Sequence, residues 1–458
     1  MSSELRKLWE HAGGQLPEDW AIVPLESLFR DPKSIAVGVM YPGPDTPGGI
    51  PLLKVGDIKD GIVPTKPSYC ISAETDEEHK RTKLVGDELL ITLVGNPGEC
   101  VVVSPEMAGW NPARAIAVVR LQDTSLRTYL KTVLESTAGQ HLIDAVLNTT
   151  VQKTLNLKDI RKLPIPMPTS GEIESICSIS EALTNRIALL RETNATLEAI
   201  AQALFKSWFV DFDPVRAKME SRVPEGMDEA TAVLFPDGLG DSELGAMPTG
   251  WRVRRLGDVA SYLSRGISPK YLEDGGVLVL NQKCVRDFSV DYCKGRRHDS
   301  LQRKIEGRQV AIGDVLVNST GVGTLGRVAQ VLSLPEAAVI VDSHVTIVRP
   351  GPNLSWPYLG QFMMRKQPDI EAMGEGSTGQ TELSRSKLAD VLVLVPPEDV
   401  LEAFDQIVIP MKQRVSLNDS GIQNMAMLRD TLLPRLISGQ LRLPTPEEKF
   451  SLPPTPTL

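Results

Sequence analysis

Apolar residues recur every seven positions along a segment without glycine or proline, from Glu172 to about Phe209. The first series is Ile176, Leu183, Leu190, Leu197 and Leu204, and the second, offset by four, is Ser180, Ile187, Asn194, Ala201 and Trp208. This spacing is typical of the a and d positions of a coiled coil. Because an α-helix rises about 1.5 Å per residue, the pattern predicts a helix about 57 Å long.

A second apolar seam lies near the C-terminus. Its two series are Phe404, Met411, Asn418, Met425 and Leu432, and Val408, Val415, Ile422, Arg429 and Leu436. We expect Pro410 to kink this helix or delay its start, and Pro434 to bend its end.

Each seam needs a partner, and the other helix of the same chain is present at high effective concentration. We therefore expect one intramolecular helix pair, antiparallel if the two halves are related by a pseudo-two-fold axis. Asn194 and Asn418 occupy seam positions where a polar residue can set the register. The alternative is that both segments are plain core helices of a larger domain.

The chain also repeats itself at a spacing of about 228 residues. Thr149–Leu155 aligns with Ser377–Leu383 at this spacing, and Gly95 and Gly98 align with Gly323 and Gly326. Pro17-Glu18-Asp19-Trp20 aligns with Pro248-Thr249-Gly250-Trp251 at a spacing of 231. Self-similarity of this kind indicates a duplicated protein.

The first part of each copy contains short β-prone runs separated by glycine, proline and aspartate, such as Glu88–Leu93 and Asp314–Val317. Helical patterns near Leu126–Leu147 and Pro357–Met373 make each such domain α/β. The predicted fold class is mixed α+β: two similar α/β domains joined by two long antiparallel coiled-coil helices in a pseudo-two-fold repeat. The predicted boundaries are 1–170 for the first domain, 171–212 for the central helix, 213–247 for a linker, 248–397 for the second domain, 398–440 for the C-terminal helix and 441–458 for a proline-rich tail.

Composition changes this picture in three respects. The 458 residues carry a net charge of −9, whereas a protein that binds nucleic acid by bulk electrostatics is expected to be basic. Five cysteines without a C-x-x-C pair indicate reduced thiols rather than disulfides or structural zinc. No apolar run approaches the roughly 18 residues of a membrane span, and the N-terminus lacks a secretory signal, so a cytoplasmic protein is expected.

Local basic clusters weaken the objection from net charge. One consists of Arg296, Arg297, Arg303, Lys304 and Arg308, and a second of Arg252, Arg254 and Arg255. Such clusters can bind DNA, although charge runs are more often solvated faces.

Motifs for chemistry are mostly absent. Gly321–Gly326 has the form G-x-G-x-x-G, but β-prone residues follow instead of the helix that a dinucleotide site needs, so a strand–turn–strand is predicted. No Lys-Ser/Thr pair follows the last glycine, and the five histidines lack the spacing of metal ligands. We therefore predict no catalytic residues and no metal site in this chain.

Two similar α/β domains that are held apart by two long helices suit a ligand with two separated binding sites. Duplex DNA is such a ligand. Because the domains differ in sequence, an asymmetric target is expected.

Two helix segments carry a resemblance to a known family. Asn194–Phe212, which includes Leu204-Phe205-Lys206-Ser207-Trp208-Phe209, resembles the central conserved helix of type I restriction-modification specificity subunits, and Leu428–Gly439 resembles its C-terminal counterpart. Pro248-Thr249-Gly250-Trp251 and Ser377-Thr378-Gly379-Gln380 resemble the start and end of a target-recognition domain. The likeness covers nearly the whole chain up to Leu441.

The resemblance implies a non-catalytic subunit. Each variable domain would read one half of a bipartite double-stranded DNA sequence, and the helix pair would set the gap between the halves. Two methyltransferase subunits would dock on the conserved helices, joined by endonuclease-translocase subunits. The chain itself would bind no cofactor, and S-adenosylmethionine, ATP and Mg²⁺ would act on the partners.

Candidate DNA-binding residues lie on the repeated loop and in the first basic cluster. They are Thr149, Thr150, Gln152, Ser377, Thr378 and Gln380 on the loop, and Arg296, Arg297, Arg303 and Lys304 in the cluster. The loop could instead be a turn and helix N-terminus that only stabilises its domain. Two other functions stay open: a protein-interaction scaffold that reads no DNA, and a stand-alone nucleic-acid-modifying enzyme.

Overall fold

A computed structural model describes residues 2–58, 61–147, 153–374 and 382–443. The chain divides into two compact units. Unit 1 comprises Met1–Ala188 and Ile422–Leu458, and unit 2 comprises Leu189–Gly421. Each unit mixes small β-sheets with helices and includes one end of each of two long helices, so the mixed α/β class predicted from the sequence is correct.

Unit 1 begins with a short amphipathic helix and then follows a mostly β course to the first long helix. Its helices are α1 (Ser2–His11), α2 (Ala73–Glu78), α3 (Arg127–Leu134), α4 (Thr137–Val146), α5 (Leu157–Arg161) and the start of α6 (Ser170–Lys206). Its strands are β1 (Ala21–Pro24), β2 (Ile35–Val37), β3 (Ile50–Leu53), β4 (Cys70–Ile71), β5 (Leu89–Thr92), β6 (Cys100–Val102), β7 (Asn111–Pro112), β8 (Ile116–Val119) and β9 (Pro164–Met167).

Unit 2 has the larger set of strands. Its helices are α7 (Asp213–Met219), α8 (Glu229–Val233), α9 (Leu256–Val259), α10 (Trp356–Ala372), α11 (Arg385–Ala389) and most of α12 (Glu398–Ile437). Its strands are β10 (Leu239–Ser242), β11 (Gly245–Pro248), β12 (Arg252–Arg255), β13 (Ala260–Arg265), β14 (Tyr271–Leu272), β15 (Val277–Leu280), β16 (Val285–Arg286), β17 (Ser289–Val290), β18 (Arg296–His298), β19 (Val315–Asn318), β20 (Val328–Gln330), β21 (Val339–Val341), β22 (Val345–Pro350) and β23 (Leu392–Val395).

The sheets of the two units have matching strand orders. Unit 1 has a four-stranded antiparallel sheet β2-β8-β5-β6, and unit 2 has β13-β22-β19-β20. A second sheet contains one parallel pair in each unit, β3–β7 in unit 1 and β15–β21 in unit 2. A third, two-stranded sheet joins β1 to β9 and β12 to β23. The central strands are buried on both faces, which explains why they read as continuous apolar runs rather than alternating ones.

A buried carboxylate closes the turn before the central strand in each unit. Glu88 accepts hydrogen bonds from the backbone N–H groups of Val85, Gly86 and Asp87 and pairs with Arg120 at 3.0 Å. In unit 2, Asp314 accepts from the N–H of Ala311 and pairs with Arg349 at 2.7 Å. These pairs hold the turn because a buried charge needs a partner and hydrogen bonds.

The long helices contribute aromatic side chains to the main hydrophobic core of unit 2. Phe205, Trp208 and Phe209 pack around Phe404 with ring centroids 6.2, 6.0 and 5.1 Å away, respectively. Further along the same helices, Asn418 Nδ2 donates to Asn194 Oδ1 at 2.8 Å, and Lys412 Nζ donates to both oxygens of Glu198 at 2.8 and 2.7 Å. Gly421 lies beside Leu190, where an added Cβ would stand 3.5 Å from Leu190 Cδ1.

Two details of the long helices differ from the sequence prediction. The α-helical part of α6 ends at Lys206, and Ser207–Asp211 form a π-helical turn closed by Phe212 at φ 57°. The delayed start expected at Pro410 is wrong, because α12 begins at Glu398 and continues through both prolines. Pro410 lies on an exposed face, where water can hydrogen-bond the carbonyl that loses its N–H partner.

Candidate nucleic-acid interface

Six of the predicted DNA-contacting residues lie outside the described residues. They are Thr149, Thr150, Gln152, Ser377, Thr378 and Gln380. The residues that follow these segments are placed alike: the N–H of Leu155 donates to Leu93 O at 2.9 Å, and the N–H of Leu383 donates to Ser319 O at 2.8 Å. In each unit, the chain therefore returns beside the loop that follows the central strand of that unit.

The basic cluster of unit 2 lies on and just after strand β18. The guanidinium of Arg296 lies over the ring of Tyr271, 3.5 Å from the centroid, and both side chains are exposed. Arg297 forms an ion pair with Glu336 at 2.6 Å. This pairing reduces what Arg297 offers to a phosphate, whereas the guanidinium of Arg296 is held over the ring without being neutralised by a carboxylate.

The turn that follows β18 presents two further cations. Arg303 is exposed, and its Nη1 donates to Ser268 O at 2.9 Å, which fixes the side chain without neutralising it. Lys304, beside it, is exposed. Arg308, the last member of the predicted cluster, is exposed as well. Arg296, Arg303, Lys304 and Arg308 are thus the members that the structure leaves able to contact an anionic backbone.

A fully buried histidine supports this turn. His298 Nδ1 accepts from the N–H of Lys270 at 3.0 Å, and its Nε2 donates to Arg303 O at 2.9 Å. Asp299 closes the turn by accepting from the N–H groups of Leu301 and Gln302. The Gln302 amide and the Leu301 N–H hold the pKa of Asp299 below its usual value, so the carboxylate stays ionised as a turn cap.

In the second basic cluster, on strand β12, one of the three arginines is already paired with a carboxylate. Arg255 pairs with Asp390 at 2.6 Å, while Arg252 and Arg254 are exposed on the strand paired with β23. This pairing leaves two of the three arginines for an external anion.

A polar corner that sequence reasoning missed lies at the end of strand β15. We define it as Gln282, Asn318, Thr320 and His344. Asn318 is fully buried, and its Nδ2 donates to Gln282 O at 3.0 Å and to Thr324 O at 3.1 Å. His344 Nδ1 lies 2.7 Å from Thr320 Oγ1, and Thr320 Oγ1 donates to Gln282 Oε1 at 3.3 Å. The signal in the sequence is the polar triplet Asn281-Gln282-Lys283 directly after the buried run Val277–Leu280.

The Gly321–Gly326 loop forms one side of the polar corner. The structure confirms the strand–turn–strand, since β19 and β20 pair in antiparallel register on either side of this loop. Gly321 has φ +114°, and a Cβ there would lie 2.2 Å from Thr324 Oγ1 and 2.9 Å from Gln282 Oε1. Only glycine allows the loop backbone to approach the Gln282 amide this closely.

A strained hairpin follows the polar corner. Asp287 and Phe288, between β16 and β17, have φ values of 50° and 59°, and the Phe288 side chain is 41% exposed. Positive φ at an aromatic residue is uncommon and costs free energy, so this hairpin presents its phenyl ring to solvent at a cost in stability.

The residues predicted for the helix seam are buried or half-buried throughout. They are Ile176, Leu183, Ile187, Leu190, Asn194, Leu197, Leu204 and Trp208 on α6, and Phe404, Val408, Met411, Val415, Ile422, Met425, Leu432 and Leu436 on α12. None of them is on the exposed side of its helix in the described part of the chain.

The part of the chain that the structure describes has neither a cluster of metal-ligating side chains nor a helix that could span a membrane. No set of three His, Cys, Asp or Glu side chains there is arranged to hold a metal ion. No helix within 2–58, 61–147, 153–374 and 382–443 is both long and apolar enough to cross a membrane.

The chain is similar in sequence to several specificity subunits of type I restriction enzymes. The chain is 30% identical over 198 residues to the EcoBI specificity subunit of Escherichia coli, a match that covers 41% of this chain and 42% of that protein. It is 23% identical over 365 residues to the HindI specificity subunit of Haemophilus influenzae, covering 68% and 74%, respectively. Its homologues are type I restriction enzyme specificity subunits. No family model matches the chain.

A solved specificity subunit has a similar fold. The S subunit of a type I restriction-modification system from M. genitalium matches 92% of this chain and 97% of its own at a TM-score of 0.57 with 16% identity. At this identity the match supports the fold. The specificity subunit of Methanocaldococcus jannaschii named MjaIX is 23% identical over 302 residues, 62% of each chain.

Proposed function

We propose that this chain is the specificity subunit of a type I restriction-modification complex and recognises an asymmetric, bipartite DNA sequence. The observation that carries the proposal is the matching strand order of the two units, each with its own core and its own end of the long helices. In this proposal the two units arose by internal duplication, and each reads one half-site. Because their exposed residues differ, the half-sites differ.

The long helices act as the spacer between half-sites. Asn194 contacts Asn418 while Glu198 contacts Lys412, so residue numbers rise along α6 as they fall along α12. This contact order supports an antiparallel coiled-coil pair. The polar contacts support a single register, since any slip would leave buried polar groups unpaired.

The cations of unit 2 bind the DNA backbone. Arg296, Arg303, Lys304 and Arg308 are the four exposed members of the cluster. Their charge gives affinity without sequence information, which fits a chain whose total charge is negative.

Catalysis belongs to partner subunits in this proposal. Two methyltransferase subunits dock on the long helices, and endonuclease-translocase subunits join them in the cytoplasm. S-adenosylmethionine, ATP and Mg²⁺ act on those partners, and this chain holds none of them.

Modification-aware sequencing of host DNA tests the function. Strains carry the intact gene cluster, the cluster without this gene, or the cluster without the methyltransferase gene. We expect one bipartite motif to lose adenine methylation in both deletion strains and to regain it on complementation. Methylation that persists without this gene while requiring the methyltransferase gene contradicts the proposal.

A length change tests the spacer. Seven residues that continue the heptad pattern are inserted after Leu190, and a control chain receives seven Gly and Ser residues after Glu225, in an exposed loop of unit 2. We expect a changed gap or lost methylation only with the helical insertion. The same gap in both strains argues against the helices as the spacer.

A further inference from the structure

The polar corner at the end of strand β15 holds a half-buried glutamine in one orientation. Gln282 is the second residue of a turn in which the N–H of Cys284 donates to Asn281 O at 2.9 Å and the N–H of Lys283 donates to Asn281 Oδ1 at 2.8 Å. The backbone carbonyl of Gln282 accepts a hydrogen bond from Nδ2 of the buried Asn318 at 3.0 Å. The backbone of Gln282 is therefore fixed before any ligand arrives.

The side chain of Gln282 is oriented by a short hydrogen-bond chain. Thr320 Oγ1 donates to Gln282 Oε1 at 3.3 Å, and His344 Nδ1 lies 2.7 Å from the same hydroxyl. Gly321 closes the other side, because its Cα position leaves no room for a side chain beside Oε1. No group among the described residues accepts a hydrogen bond from Gln282 Nε2. The amide thus keeps a free N–H donor and a second acceptor lone pair.

This arrangement matches one base edge. An amide whose oxygen accepts and whose nitrogen donates can form two hydrogen bonds to adenine, from N6–H and to N7, in the major groove. Guanine presents two acceptors there, so the amide oxygen would face another oxygen. Preorganisation lowers the entropy lost on binding, which is the reason a fixed glutamine discriminates better than a free one.

We propose that Gln282 reads an adenine in the half-site of unit 2, with Asn318, Thr320 and His344 as its positioning residues. This inference rests on the proposed function and names the side chain that determines specificity at one base pair. The exposed Lys283 beside it is suited to the adjacent phosphate. In unit 1 the equivalent place after strand β3 is Val55, by the same spacing that aligns Leu53 with Leu280, so the other half-site lacks this contact.

The test is motif determination in strains that carry the full gene cluster with single variants of this chain. In Gln282→Ala we expect one A·T pair of one half-site to become degenerate, with discrimination reduced roughly 5- to 150-fold, the range of one bidentate contact. The other half-site and the gap stay unchanged. In Gln282→Glu we expect preference at that pair to move towards cytosine, whose N4 amine donates to a carboxylate. A purely structural role would not change the preferred base.

Positioning variants and a matched control complete the test. Thr320→Val and His344→Ala should weaken selection at the same base pair without removing it. The control is Gln367→Ala, since Gln367 is also half-buried and bonded on both amide atoms, to the N–H of Val328 and to Glu371. Its motif should be that of the wild type.

The outcomes separate the two hypotheses. A motif that depends on this gene but keeps its bases in both Gln282 variants overturns the assignment of Gln282 alone. Degeneracy at a position other than an A·T pair, or the same motif change in Gln367→Ala, also overturns it. Methylation that does not depend on this gene overturns the proposed function and this inference together.

Discussion

The ion pair between Lys412 and Glu198 predicts that removing one partner costs more stability than removing the other. The Lys412 side chain is 3% exposed, whereas that of Glu198 is 25% exposed. Removing one partner of a buried pair costs about 3–5 kcal/mol when the remaining charge stays buried. We expect Glu198→Leu, which strands the buried ammonium, to cost about 3 kcal/mol. Lys412→Met leaves a carboxylate that water can reach, and we expect a cost of about 1 kcal/mol.

The double variant tests the reasoning behind this asymmetry. Because it leaves no stranded charge, we expect its stability to lie within about 1 kcal/mol of the wild type. Hydrogen exchange followed by mass spectrometry in peptides from 189–206 and 404–421 measures the local opening free energy, and 3 kcal/mol corresponds to roughly 150-fold faster exchange.

A matched surface pair serves as the control for the cycle. Lys366 and Asp369 form an ion pair at 2.8 Å with both side chains at least one-third exposed. Lys366→Met should cost no more than about 0.5 kcal/mol. Equal effects of Glu198→Leu and Lys412→Met, or a double variant whose cost is their sum, would refute the argument.

Three further predictions concern unit 2. Asp314→Asn should cost about 1 kcal/mol, seen as a lower urea midpoint, because it leaves Arg349, whose side chain is 34% exposed, without its carboxylate. Gly321→Ala should destabilise the loop and degrade the motif of one half-site only, because of the positive φ and the clash with Thr324 Oγ1. Burial raises the pKa of Asp405 to about 6, so the folded chain binds a proton that the unfolded chain releases between about pH 4 and 6. Stability should therefore fall as pH rises through this window, and Asp405→Asn, compared by urea unfolding at pH 5 and 7.5, should abolish that slope and be the more stable protein at pH 7.5.

The long helices were predictable because their signal is local and repetitive. A heptad series such as Ile176, Leu183 and Leu190 depends only on spacing, and the helices are found at these positions. The effect of Pro410 was not predictable in this way, because it depends on whether the affected carbonyl faces water.

The functional residues were only partly predictable. Runs of arginine are visible in a sequence, but the pairing of Arg297 with Glu336 depends on residues 39 positions apart in the chain. The polar corner joins side chains from three segments. The polar triplet that contains Gln282 is visible in the sequence, but Thr320 and His344 do not stand out in their own local sequences. Non-local pairing of this kind needs the sheet register, which is set by tertiary packing.

The contacts that fix the register of the long helices, Lys412 with Glu198 and Asn418 with Asn194, limit how the length of the helix pair can change. A slip of one heptad would bring Lys412 opposite Arg191 or Phe205 instead of Glu198, since these residues lie seven positions to either side. Both alternatives leave a buried ammonium without a carboxylate, so a slip of one heptad is disfavoured, and a smaller slip would also take the apolar residues out of the seam. The length of the helix pair can therefore change only in fixed steps. The pair can lengthen in whole heptads of about 10.5 Å when both helices change together, and a continuous adjustment by sliding is disfavoured.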